Sequence, residues 1–516
     1  MSVRRGGPRI GVDVGDKQDR TRKLDVGAVT GRRSRSSSVA VLAVAGSVLL
    51  AGASTLSSEL PSGVRTVRSL AQLLSDEALI MGGSGMPLPT QSYMDTVYGN
   101  FIAPNVVGNY TTQALFTPEQ FYPFTGVKQL PFDTSVAQGL SSLDDTIRGQ
   151  LADGNNLVVF GYSQSATITS LEMEQLTQNP PTLDPGQQLS FVLIGDPNNP
   201  DGGIFERFAG LSFPSLGLTF SAPTPTDTIY PTDIYTTEYD GWADFPRYPL
   251  NILADLNAFA GSYNAHFDYT QLTPDQLAQA IELPGSADLT GVGSTNYWII
   301  PTENLPLLDP LRSVPVVGNP LADLLQPDLR VLVNLGYGSI DNGWDPGPAN
   351  VPTGFGLFPT NINPLEVLQA LASGAQQGVH DFMADLSSSS SSLSLADLTE
   401  PVAALSTGAL SPADLPSLTD IVNALSSAAS DGYAALLPTA DVLNALITTI
   451  PAYDVSLFVD GLQELIAGDP MGLVSAFGDP IAADIALLTL LESVESTVIT
   501  DAVQSVVADL STLIPF

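Results

Sequence analysis

From about Ser75 the chain alternates short strand-like runs with helical ones. "EALIMGG", "NLVVFGY", "LSFVLIGD" and "TDIYTTEYD" are rich in Val, Ile, Leu, Tyr or Thr, and each is stopped by Gly or Asp. Between the second and third lies "ATITSLEMEQLTQNP", with helical spacing and a proline stop. Strands separated by helices predict a parallel sheet covered by helices on both faces. Because such crossovers are right-handed, functional groups should gather at the carboxyl ends of the strands.

Beyond residue 300 the pattern changes. Residues 300 to 358 are proline-rich and apolar, as expected of a segment wrapping one side of the sheet. From about Asn361 the composition shifts to Ala, Leu, Ser and Asp, with the low-complexity run "DLSSSSSSLSLADL". "DVLNALITTI" and the long stretch from Ile481 to Leu510 then read as amphipathic helices. The N-terminus differs again. Ten of the 18 Lys and Arg precede residue 39, followed by "VAVLAVAGSVLLAGAS", an apolar run ending in small residues. This is the pattern of an export signal cleaved after Ala53, or of an uncleaved N-terminal anchor. No later segment reads as long and apolar enough to span a bilayer. The chain thus divides into a leader over 1–53, an α/β domain over 70–360, a Ser-rich linker region over 361–400 and an acidic helical tail over 401–516.

Charge narrows the partners. Without the first 38 residues, 8 basic side chains face 50 acidic ones, and no Lys or Arg follows Arg330. Such a surface repels phosphate backbones, so nucleic acid is excluded as a partner. The absence of cysteine excludes disulfides, thiolate metal sites and cysteine nucleophiles.

The stretch "NNLVVFGYSQSATITSLEMEQL" (155–176) carries the chemistry. A strand–Gly-x-Ser-x-small–helix sequence forces Ser163 into a tight turn that lifts its hydroxyl above the sheet. Gly161 and Ser165 are small where strand and helix crowd. A serine hydroxyl needs a base, and the chain has only two histidines. His266, on a loop after "PLNILADLNAFAG", can reach the turn, whereas His380 lies in the tail-ward segment. "IYTTEYDGWADFP" offers two carboxylates to orient the imidazole. Asp240 comes directly off the strand; Asp244 ends a Gly-x-x-Asp turn with more room to bend, and is preferred, with Asp240 the alternative. Whichever is not used should brace the turn, and Asp196 should brace its own loop. The order Ser, Asp, His is that of α/β-hydrolases. "LIMGGSGMPLP" supplies a glycine-rich loop for an oxyanion hole, with Gln164 N–H as first donor and Ser84 or Gly83 as second. The reading requires no metal and no cofactor.

Five ordered blocks extend the pattern: "LIMGGSGMPLPTQSYM", "VVFGYSQSATI", "IGDPNNPDGGIFERF", "YDGWADFPRYPLNILADLNAFAG" and "PLLDPLRSVPVVGNPLADLLQPDLRVLVNLGYG". Over roughly residues 75 to 360 they resemble the PE-PPE domain family of mycobacteria, a cutinase-like branch of the serine α/β-hydrolases. The resemblance implies Ser163 as nucleophile, His266 as base and an acid in the "YDGWADFP" block. It implies esterase, lipase or acyltransferase activity at the cell envelope, on fatty acyl esters or on glycolipids such as trehalose esters. No PE or PPE helical module precedes these blocks in the sequence, so export by the general pathway is expected, with a cell-envelope lipid surface as a further partner. Hydrolysis is placed ahead of acyl transfer, and a lipid-binding or envelope-structural protein without turnover is the reading from another class. Residues 200–232, apolar and proline-punctuated, are the candidate lid.

Overall fold

The computed structural model describes residues 76–181, 188–285, 295–389 and 417–512. The expectations for the leader and apolar run, and for the Ser-rich run beyond Ser389, lie outside these residues.

The strand β3, Asn156–Tyr162, shows how sequence becomes architecture. Leu157 and Val159 enter one hydrophobic core and Val158 and Phe160 enter another. Successive side chains point to opposite faces, and here both faces are covered, so the run is apolar throughout. On either side of it lie β1 (Asp76–Ile80) and β4 (Leu189–Ile194), with β2 (Thr111–Ala114) beyond β1. Past β4 come β7 (Thr232–Thr237), β9 (Thr295–Ile300) and β8 (Ile281–Leu283). The order is β2-β1-β3-β4-β7-β9-β8, parallel except for β8 against β9. Strands β5 (Ser212–Phe213) and β6 (Leu218–Thr219) form a separate hairpin. The chain moves outward from β1 to β2, then returns to the other side of β1 as β3. That reversal opens a crevice at the carboxyl ends of β1 and β3.

Helices cover both faces. Helix α1, Gln91–Val97, packs with Tyr93, Met94 and Val97 on the Val158–Phe160 side. Helix α2, Phe132–Ala152, and α3, Gln164–Gln178, lie on the other. Helix α4, Ile252–Tyr263, crosses the turn that follows β7. Two glycines make that crossing possible. A Cβ on Gly261 of α4 would sit 1.8 Å from the Tyr239 carbonyl oxygen, and one on Gly241 would sit 2.1 Å from that of Ala258.

Three expectations change. The proline-rich segment contains an ordered helix, α5 (Gly318–Asn334), and α6 (Pro364–Ser389) packs along it where a linker was expected. Within 200–232, expected as a lid, residues 205–220 are instead anchored in the body of the domain: Phe205, Phe208, Phe213 and Phe220 are fully buried in the main core. Two C-terminal stretches, Thr419–Ala467 and Gly472–Ser511, are in fact long and apolar enough to cross a bilayer by length and composition. Interspersed Ser, Thr and Asp disguise them, because no single uninterrupted apolar run appears. They comprise α7 (Leu418–Ala434), α8 (Leu436–Asn444), α9 (Ile450–Ala467) and α10 (Gly472–Ser511). Val442, Ile450, Leu487, Leu491 and Val494 join the same core as Phe121, Phe132 and Phe205.

Gly261→Ala should therefore lower unfolding free energy by about 3 kcal/mol, the upper range for overpacking, since backbone rather than a side-chain tip blocks the methyl. Gly149→Ala, in α2 with open space around it, should be neutral or stabilising by up to ~1 kcal/mol. Urea unfolding of the two variants checks this; equal effects would contradict the close crossing.

Candidate active site

The turn at Ser163 is as abrupt as its sequence. Ser163 has φ 56° and ψ −117°, outside the favoured regions for a residue with a side chain. Such a conformation costs on the order of 1–3 kcal/mol and persists only where its surroundings enforce it. They do so here. Ser163 N–H donates to the Ile194 carbonyl of β4 at 3.2 Å, while its own carbonyl accepts from Ala166 N–H at 2.9 Å. A Cβ on Gly161 would lie 2.7 Å from Ser165 O and 2.8 Å from Thr169 Oγ1. Ser165 is small for the same crowding, and its hydroxyl accepts from Tyr162 N–H (2.8 Å) and donates to Tyr162 O (3.1 Å).

The structure brings Ser163 and His266 together: His266 Nε2 lies 2.8 Å from Ser163 Oγ. His266 follows the end of α4, its N–H bonded to Gly261 O at 2.9 Å. Its other nitrogen, Nδ1, lies 2.9 and 2.8 Å from the two carboxylate oxygens of Asp240. A carboxylate only accepts, so Nδ1 carries the proton and Nε2 presents its lone pair to the serine hydroxyl. His380 is exposed on α6 and pairs with its neighbour Asp381.

The preference for Asp244 is corrected by this geometry. Tyr239 has φ 66°, a left-handed residue that reverses the chain immediately before Asp240. Asp240 is thereby turned in to the imidazole, and its Oδ1 also accepts from Trp242 N–H at 2.9 Å. Asp244 is turned back, its Oδ2 accepting from Tyr239 N–H at 2.8 Å. It braces the turn, and burial first of all pushes its carboxyl well above the usual range. Asp196 is likewise a brace, bonded to Thr224 Oγ1 (2.5 Å) and Asn198 N–H (3.0 Å).

Three supporting residues were not read from the sequence. Tyr269 donates its hydroxyl to Asp240 Oδ2 at 2.8 Å and accepts from Thr237 N–H at 2.9 Å. Tyr162 donates to the His266 carbonyl at 2.6 Å. Gly195, at φ 54°, leaves room for the imidazole: a Cβ there would be 3.1 Å from His266 Cε1. The glycine after "LSFVLI" and the tyrosines flanking Ser163 and His266 were the available signals.

The glycine-rich loop follows β1, beside β3, so it meets the serine turn at the crevice. A Cβ on Gly83 would be 2.8 Å from the Tyr162 ring and 3.3 Å from Ser163 Cβ. Ser84 Oγ donates to Gln164 Oε1 at 3.0 Å, and Gln164 Nε2 donates to Gln120 O at 3.0 Å. Among the described residues the backbone N–H groups of Ser84 and Gln164 have no protein partner. Both lie in the wall of a cleft with about 650 Å³ of empty space, part of it open to solvent. Phe121, Phe124, Phe132, Phe205, Trp242 and Phe267 line much of the rest. Together these groups can activate a hydroxyl beside an apolar trough and face a developing oxyanion with N–H donors.

A mostly parallel α/β sheet with this hydrogen-bonded chain at its switch point defines the structural class. Residues 108–338 match the PE-PPE domain model. The Mycobacterium tuberculosis PPE family protein PPE28, itself uncharacterized, is 46% identical over 90% of this chain and 73% of its own length. Esterase PE16 of the same organism is 43% identical over 86% of this chain and 81% of its own. Its diacyltrehalose acyltransferase Chp2 is 28% identical over 54% and 79%. The chain belongs to the PE-PPE domain family, whose relatives here include an esterase and an acyltransferase.

The loop after β2 supplies a pH-dependent element. Glu119 is buried, has φ 48°, and accepts Gly85 N–H at its carbonyl at 2.6 Å. Burial pushes its carboxyl up from 4.5 to about 8, against a hydrogen bond from Thr117 that lowers it. Folded protein thus holds a proton that unfolded chain releases. The stabilisation is fully present below about 4.5 and is lost as pH rises through about 8, by at most ~1.4 kcal/mol per pH unit. Glu119→Gln should flatten the fall in urea midpoint between pH 5 and pH 8. An unchanged fall would contradict it.

Proposed function

We propose that this protein is an exported serine esterase that cleaves fatty acyl esters through an acyl-enzyme on Ser163, with His266 as base and Asp240 as its orienting acid. The observation that carries the reading is the unbroken chain Ser163 Oγ–His266 Nε2 and His266 Nδ1–Asp240, each link 2.8–2.9 Å. Ser163 Oγ attacks the ester carbonyl carbon as its proton passes to His266 Nε2. Negative charge moves to the carbonyl oxygen, faced by the N–H groups of Gln164 and Ser84. One such donor contributes about 3 kcal/mol of barrier lowering. The tetrahedral intermediate collapses, the C–O bond to the alcohol breaks, and the alkoxide takes the proton from His266. Water then attacks the acyl-enzyme, losing its proton to His266 Nε2; the second tetrahedral intermediate collapses, the C–O bond to Ser163 breaks, Ser163 Oγ takes the proton back from His266, and the fatty acid leaves. Asp240 holds the imidazole in its tautomer and stabilises the imidazolium.

Kinship with Esterase PE16 and the apolar trough beside Ser163 support an acyl ester as substrate. The basic leader and apolar run before residue 54 support export. A second reading has a specific support: similarity to the diacyltrehalose acyltransferase Chp2. There a sugar hydroxyl replaces water in the second half-reaction, and the residues keep their roles.

Intact mass after incubation with a fluorophosphonate tests the proposal. One label per chain is expected, absent in Ser163→Ala and in His266→Ala. Asp240→Asn should lower kcat/KM on a short ester by roughly 10³–10⁴-fold, the scale for a triad acid. Asp244→Asn, whose amide oxygen still accepts Tyr239 N–H, should lower it far less. A folded wild type that does not label contradicts the esterase reading and favours a lipid-binding protein; the reverse order of the two Asp variants contradicts the assigned acid.

A further inference from the structure

The C-terminal helices reach the cleft. Ser493 of α10 is one of its lining residues, with Tyr263 and Phe267 beside it. Specific bonds hold these helices to the α/β domain: Thr497 Oγ1 of α10 lies 2.6 Å from the Tyr263 hydroxyl, and Asp441 of α8 accepts from the Tyr122 hydroxyl at 2.6 Å. Ser215 Oγ donates to Asp441 O at 2.9 Å. Leu487, Leu491 and Val494 of the same helix belong to the core that contains Phe121 and Phe205. A smaller hollow adjoins the cleft, lined by Phe245, Phe259, Thr489 and Leu490 among others. The two spaces share Trp242, Ser262 and Ser493.

Trp242 is thus part of the wall common to both spaces, its ring 6.2 Å from that of His266 and 5.8 Å from that of Phe124. Opposite it on α10, the residue is a serine, while Leu490, Leu491 and Val494 around it are large. A serine there takes less room from the two spaces than a larger side chain would. No Lys or Arg stands after Arg330, so this helix offers an anionic group no cation and suits an uncharged hydrocarbon chain.

We infer that α10 forms a wall of the acyl-chain site. An acyl group attached at Ser163 runs past Trp242 beneath Ser493 into the hollow bounded by Leu490, so that Ser493 and Leu490 set the chain length accepted. This rests on the acyl-ester reading above and adds the C-terminal region to the substrate site. The lining of both spaces is largely aromatic and aliphatic, which suits an unbranched fatty acyl chain.

The test uses the full chain with p-nitrophenyl esters from butyrate to palmitate, and binding of the fluorescent fatty acid cis-parinaric acid as a readout independent of turnover. Ser493→Trp should lower the palmitate-to-butyrate ratio of kcat/KM by tenfold or more. Binding of cis-parinaric acid should weaken in parallel. Leu490→Ala should raise the palmitate-to-butyrate ratio. Val503→Trp, on an exposed part of α10, should change neither. Should Ser493→Trp fail to fold by thermal melt, Ser493→Leu takes its place with the same expectation. An unchanged palmitate-to-butyrate ratio in folded Ser493→Trp, with fluorophosphonate labelling intact, overturns the inference and leaves the esterase reading standing. Failure of wild type to label and hydrolyse overturns that reading instead; weakened fatty-acid binding by Ser493→Trp would then still support the wall.

Discussion

The site depends on the contact between α4 and the turn after β7. Gly261 lies against the Tyr239 carbonyl and Gly241 against that of Ala258, with no space for a methyl at either. Because the helix comes this close, His266, five residues beyond Gly261, lands on the carboxylate of Asp240. The imidazole then spans from that turn to the end of β3, over the bare backbone of Gly195, just past the end of β4. Three strands and one helix are thereby joined through a single ring. Tyr269 braces Asp240, and Tyr162 donates to the main-chain carbonyl of His266.

Strain and burial are concentrated at the same place. Ser163 and Tyr239 both have positive φ, and both sit in turns that present a side chain of the hydrogen-bonded chain Ser163–His266–Asp240. Close packing holds them: Ser165 bonds both backbone groups of Tyr162, and Asp244 bonds the N–H of Tyr239. Asp244 is thus more than a spare carboxylate. It bonds the backbone of the reversal that turns Asp240 inward.

Much of this was legible in the sequence, for identifiable reasons. The strand β3 was visible because a strand buried on both faces is a continuous apolar run, and Ser163 was visible because small residues must flank such a turn. With only two histidines, His266 followed. Strand β2, "TTQA", was missed: it lies at the sheet edge, half exposed, with little apolar signal. The choice between Asp240 and Asp244 was not legible, because it turns on the left-handed conformation of a tyrosine, which composition does not announce. The helical period of the C-terminal region was legible, but its packing was not. A long-range contact such as Tyr122 with Asp441 leaves no local pattern.

The described C-terminal helices consequently share a core with the sheet, and the last of them places Ser493 in the lining of the cleft beside Ser163. The central claim remains the bond that orients the base. With only His266 and His380 in the chain, NMR of protein carrying ¹⁵N-labelled histidine reports on it directly. The account predicts one strongly downfield imidazole N–H, from His266 Nδ1, that is lost in Asp240→Asn and kept in Asp244→Asn. A downfield proton that survives Asp240→Asn, or is absent from the wild type, would contradict it.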